Sequence, residues 1–138
     1  MPIHFFSEDT PFQFSYKTHT AAWVTHIINQ ERRVLGDLNF IFCSDPHLHQ
    51  MNLTYLNHDT FTDIITFDNS EAVEQISGDI FISVDRVKEN AESLTTNFEQ
   101  ELYRVIIHGV LHLIGYNDKS IEEKTRMREK EDACLSLR

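Results

Sequence analysis

Apolar and polar positions change period along this chain, and the changes mark its elements. Ile3–Ser7 reads as a short strand. From His19 to Leu35, the residues Ala22, Val24, Ile27, Ile28 and Leu35 recur near helical spacing; they predict a first helix closed by Gly36 as its C′ glycine. Leu38–Cys43 (LNFIFC) is aromatic and β-branched and predicts a strand. Ser44-Asp45-Pro46 is a helix start, a capping side chain followed by a first-turn proline, for a helix reaching about Tyr55. Thr62–Phe67 and Asp79–Val84 predict two further strands, the second approached through Gly78. Asp85 is placed to cap a helix carrying Val87, Ala91 and Leu94. Asn97 with Gln100 makes a start like a capping box for Phe98–Ile114, which ends at Gly115. Apolar residues surround the axis of that helix, so it is expected to be buried. Residues 119–137 predict a last, polar helix.

The expected fold class is α+β: one domain over residues 1–138, with a small mixed sheet of about four strands against about five helices. A chain of 138 residues can bury a core without disulfide staples, and ten phenylalanines supply one. Cys43 and Cys134 lie far apart, form no CxxC unit and read as reduced thiols. No apolar run reaches the ~18 residues of a membrane span, and Met1-Pro2-Ile3-His4 does not open a signal peptide. The expectation is a cytoplasmic protein without membrane contact. The net charge of −10 argues against non-specific binding to bulk nucleic acid, and the acids suit solubility or a bound cation.

The chemistry concentrates in the buried helix. His108 and His112 stand at i and i+4, on one helical face, where two imidazoles can grip one metal ion. A buried imidazole needs a hydrogen bond or a metal to offset its lost hydration. Gly115 then turns the chain, and Asp118 arrives six residues after His112 as a third ligand, placing the metal site at the end of the buried helix. The zinc metalloproteases carry their general-base glutamate directly after the first histidine; here that residue is Gly109, so the peptidase reading loses its base and most of its weight. A glycine inside a helix costs ~1 kcal/mol against alanine, so Gly109 points to close backbone packing or a ligand.

These residues extend into a longer pattern. HGVLHLIGYND at 108–118 resembles the H-G-x-L-H-L-x-G-Y-D-H signature of the YbeY-type rRNA-maturation endoribonucleases. MNLTYLNHDTFTDIITFD at 51–68 is similar to that family's L-N-x-x-Y-R-x-x-D-x-P-T-D-V-L-S-F-P segment, and SGDIFIS at 77–83 to its G-D-I-x-I-S strand. The resemblance implies a single-domain α+β hydrolase whose three histidines bind zinc. It implies one zinc ion per chain, with other first-row divalent metals also accepted. It further implies a single-strand-type endoribonuclease in rRNA maturation and ribosome quality control, with RNA and the ribosome as partners and no DNA.

Carried over by position, His108 and His112 match the first two ligands. Asp118 stands where the family usually has the third histidine, and Asn117 where it has aspartate. Aspartate is a competent zinc ligand, and it lowers the charge of the site by one unit. Leu56 stands in place of the family's arginine after Tyr55, and leucine has no donors for a phosphate. Asp59 and Asp63 match the acidic positions of the second motif. Asp63 has two readings: hydrogen-bonding its turn, or a catalytic role as proton acceptor. Asp79 reads as structural. His4, His19, His26, His47, His49 and His58 read as surface residues, and Trp23 as core. The basic residues of the last helix, Lys119, Lys124, Arg126, Arg128 and Lys130, interleave with acids. They read as a solvated helix with i, i+4 ion pairs, or as a partial RNA-facing stripe. Two other functions compete: a metal-stabilised ribosome- or RNA-binding module with little catalysis, and a metal-dependent hydrolase of another substrate.

Overall fold

Every alternate residue of the central strands is apolar, and this two-faced pattern sets the layers. The computed structural model describes residues 2–138. Its elements run β1 (Ile3–Glu8), α1 (Lys17–Gln30), β2 (Val34–Cys43), α2 (Asp45–Leu56), β3 (Ile64–Asp68), β4 (Gln75–Ser83), α3 (Val84–Ser93), α4 (Phe98–Ile114) and α5 (Ile121–Ser136). The four strands form one sheet in the order β1-β2-β4-β3. β1–β2 and β2–β4 pair in parallel, and β3 pairs antiparallel to β4, so the sheet is mixed and the fold is α+β.

Leu38, Phe40 and Phe42 of β2 and Ile76, Ile80 and Ile82 of β4 face the main core, where they meet α1 and α4. Cys43, Ile65, Phe67 and Phe81 point to the other face and pack around Leu48 and Met51 of α2. The main core contains nearly the whole girth of α4, from Leu102 to Ile114. Gly109 lets α4 approach the sheet: a Cβ there would sit 2.7 Å from Ile64 Cδ1 and 3.0 Å from Ile80 Cγ2. The two cysteine thiols are free and buried, and burial pushes Cys43 up to about 12 and Cys134 up to about 11. Among the described residues no helix is long and apolar enough to cross a membrane.

Several boundaries differ from those expected. The first helix stops at Gln30, with Arg32 in the left-handed region at φ 59, because Val34 and Leu35 pair with β4 instead of continuing the helical stripe. Gly36 is therefore no helix terminator. It lies in β2 at the register shift between Leu35 and Leu38, where a Cβ would overlap the Ser77 hydroxyl. β3 begins one residue after Asp63, and β4 begins at Gln75, which puts Gly78 and Asp79 inside the strand. Asp79 there accepts a hydrogen bond from Asn39 Nδ2 at 2.9 Å. Ser83, not Asp85, caps α3 by accepting from the Arg86 N–H; Asp85 instead accepts from the Asp45 N–H at the start of α2.

Candidate metal centre

The site is built on a half-buried stripe of α4, Arg104, His108 and His112. Asn97 opens that helix by accepting from the Gln100 N–H at 2.8 Å, and Gly115 ends it at φ 123, a conformation suited to glycine. The N–H groups of Gly115 and Tyr116 both donate to the Leu111 carbonyl, which folds the chain back over the last turn. Asp118 thereby returns to the two histidines. His108 Nε2 and His112 Nε2 lie 3.0 Å apart, and Asp118 Oδ2 lies 3.3 Å from the first and 3.4 Å from the second. A tetrahedral ion with bonds of ~2.0–2.1 Å separates its ligands by about 3.3–3.4 Å, so the triangle has the size of one zinc coordination face.

The hydrogen-bond pattern points the same way. His108 Nδ1 faces Glu131 Oε2 at 2.5 Å, a partner that favours a proton on Nδ1, and its Nε2 turns toward His112 and Asp118. His112 has a backbone hydrogen bond to Tyr116. Two imidazole Nε2 atoms converging beside a carboxylate oxygen form a donor set for a cation, and the residues fit one. Burial lowers the pKa of His108, but the Glu131 hydrogen bond and charge outweigh it and leave the group raised. Burial, with the neighbouring His108 charge, lowers His112 and keeps it neutral for coordination.

Asp118 does not cap α5. Ser120 does, in a capping box with Glu123: its hydroxyl accepts from the Glu123 N–H at 3.1 Å while the Glu123 side chain accepts from the Ser120 N–H at 3.0 Å. The Asp118 carboxylate is free for the site.

Asp63 stands outside the ligand triangle but within electrostatic reach of it. Burial pushes its carboxyl up, opposed by the His108 charge and by a hydrogen bond from its own N–H. Asn90 Nδ2 donates to its Oδ2 at 3.2 Å, tying α3 to the turn that leads into β3. Asp59 lies apart; it is exposed and accepts from His49 at 2.9 Å. His49 and His47 are half-buried and paired, His49 also stacking on Phe61 at 4.2 Å and His47 facing Glu8 at 3.4 Å, so neither is a free surface residue. His4, His19, His26 and His58 are exposed, and Trp23 is core.

A groove of ≈ 290 Å³ runs from His112 along β3, which forms an edge of the sheet. Asn52, Leu56, His58, Thr60, Thr62 and Thr66 line it, so Leu56 faces the space beside His112. Its walls carry hydroxyls and amides but no lysine, arginine or carboxylate.

The last helix holds what the sequence left unread. Glu131 is 5% exposed and faces His108 and Arg104. Met127, Glu131 and Cys134 follow i, i+4, i+7 spacing and form the inward stripe of α5. That spacing was the available signal, hidden by the surrounding charge. Among the described residues no ion pair runs within α5; Lys130 reaches Glu31 at the C-cap of α1, and Arg104 of α4 reaches Glu131 and Asp132. The expected i, i+4 pairs are replaced by pairs between helices because α5 packs on α4 along its length.

The family model described as endoribonuclease YbeY matches residues 4–137. The chain is 53% identical to the endoribonuclease YbeY of Cytophaga hutchinsonii over 99% of this chain and 95% of that one. It is 50% identical to the endoribonuclease YbeY of Amoebophilus asiaticus over 96% and 90%. The solution structure of TM1509 from Thermotoga maritima superposes with a TM-score of 0.69 at 27% identity, covering 98% of this chain and 87% of that one.

Proposed function

The chain belongs to the endoribonuclease YbeY family, and from that premise we propose that this endoribonuclease holds one zinc ion per chain on His108, His112 and Asp118. It acts in the cytoplasm on single-stranded segments of rRNA precursors, in association with the ribosome. Residues 1–138 form one hydrolase domain on this reading. The observation that supports it is the convergence of three ligand atoms of coordinating type beside an open groove.

When bound, the cation supplies Lewis acidity at a phosphodiester oxygen and acidifies water. The chain's own residues do the rest. His108 and His112 present their Nε2 atoms, which must be free of protons to coordinate, and Asp118 adds a negative charge. Asp63 accepts the proton of the attacking water, a task suited to a carboxyl raised by burial. The groove beside His112 offers hydroxyl and amide partners to sugar and base, while Leu56 leaves it without a phosphate clamp.

Purified protein incubated with a structured RNA that has single-stranded segments tests this reading. Cleavage that is lost in chelator, restored by zinc and absent in His108→Ala supports it. Cleavage indifferent to chelator, or retained by His108→Ala, overturns it. Leu56 and the net charge of −10 favour a second reading, a metal-stabilised RNA-binding module, which predicts RNA binding without cleavage.

A further inference from the structure

The helix that follows the metal motif contributes a residue that no ligand signature contains. Glu131 is one of the few buried carboxylates in the chain, and it is spent entirely on two partners. Its Oε2 faces His108 Nδ1 at 2.5 Å, and its Oε1 accepts from Arg104 Nη1 at 2.8 Å. Arg104 is one turn before His108 on the same face of α4, and its second nitrogen, Nη2, donates to Asp132 Oδ1 at 2.6 Å. The arginine thus spans two neighbouring carboxylates of α5 and fixes where Glu131 sits. α5 is in turn anchored by Trp23 Nε1, which donates to the Cys134 carbonyl at 2.9 Å, and by Met127 in the core.

We infer that Glu131 is a positioning residue for the metal centre and that Arg104 holds it in place. The carboxylate accepts the Nδ1 proton of His108, which selects the tautomer with a bare Nε2, orients the ring toward His112 and Asp118, and makes the imidazole a stronger donor. Without that acceptor, the proton is free to reside on Nε2, where it blocks coordination. The inference rests on the reading of His108, His112 and Asp118 as metal ligands. It makes the arginine–glutamate pair between α4 and α5 part of the site and not only a brace between two helices.

The test combines zinc affinity, measured by competition with a chromophoric chelator, with the His108 tautomer in metal-free protein, read from its imidazole ¹⁵N shifts at a pH where the ring is neutral. In Glu131→Gln the side-chain oxygen can accept from His108 or from Arg104 but not from both, and the amide nitrogen opposes a donor at the other. Zinc affinity is expected to fall about 10–100-fold, with a mixed His108 tautomer and a cooperative thermal transition retained. Arg104→Met keeps the carboxylate but frees it, and is expected to lose less affinity than Glu131→Gln. It also serves as the informative variant if Glu131→Gln does not fold. Affinity within twofold of the parent in both variants, or an unchanged Nδ1–H tautomer in Glu131→Gln, overturns the inference and leaves the ligand reading standing. A parent protein that takes up no zinc overturns both.

Discussion

Replacing Gly109 tests how closely the ligand-bearing helix must sit on the sheet. In Gly109→Ala the new Cβ would stand 2.7 Å from Ile64 Cδ1 and 3.0 Å from Ile80 Cγ2. The first neighbour is the end of a side chain and can rotate; the second is a branch close to the β4 backbone and moves less freely. Better helix propensity returns about 1 kcal/mol, and overpacking costs about 1–3 kcal/mol. The net expectation is a destabilisation of up to about 2 kcal/mol, or several degrees in Tm for a domain of this size. Gly109→Glu adds a carboxyl group with no partner in this wall of isoleucines. Burying it costs a further ~1–3 kcal/mol, so the total comes to about 1–5 kcal/mol, against the ~5–15 kcal/mol typical of a domain. Urea denaturation followed by circular dichroism measures both, the midpoint falling in the order parent, Gly109→Ala, Gly109→Glu. The glutamate variant also restores an H-E-x-x-H string, yet it is expected to hydrolyse no peptide. A Gly109→Glu protein within 1 kcal/mol of the parent would refute the packing argument.

Leu56→Arg places a guanidinium beside the groove and is expected to raise RNA affinity or cleavage, with the salt dependence of binding steepened by about one phosphate contact; an unchanged affinity would show that position 56 does not meet RNA. Asp63→Asn is expected to abolish cleavage while zinc uptake is retained, and cleavage at the parent rate would return Asp63 to a purely structural role. Burial pushes the Glu31 carboxyl up, but hydrogen bonds from Lys130 and Tyr116 outweigh it, so its pKa is lowered on folding. Its contribution is therefore present above the ordinary carboxylate pKa and lost as pH falls through the lowered folded value. Glu31→Gln should accordingly narrow its stability gap to the parent in acid denaturation, and a gap independent of pH would contradict this.

The elements most legible in the sequence were those whose signals are local. Asn97 and Gly115 bracket α4 as expected because a cap and a left-handed terminator act on adjacent residues. Ser44 with Pro46 likewise places α2. The ends of α1, β3 and β4 were not legible, because pairing between strands decides them: Val34 and Leu35 join β2 through Gln75 and Ile76, far along the chain. The convergence of His108, His112 and Asp118 was legible from a helical i, i+4 pair and a nearby turn, all within eleven residues. Glu131 was not, because its meaning depends on how α5 lies against α4. Its charged neighbours made the helix look solvated, and only the Met127–Glu131–Cys134 spacing showed the inward face.

Metal content of Asp118→Ala, measured with its melting temperature, decides whether Asp118 is the third ligand. As a ligand, Asp118 supplies one of three protein donors, and two imidazoles on one helix hold zinc weakly. The account predicts that Asp118→Ala, purified without added metal and titrated with zinc, loses tight stoichiometric binding while its metal-free form melts near the metal-free parent, since Ser120 and Glu123 already cap α5. Asp118→His is predicted to keep the metal. Stoichiometric zinc at unchanged affinity in Asp118→Ala would contradict the three-ligand centre.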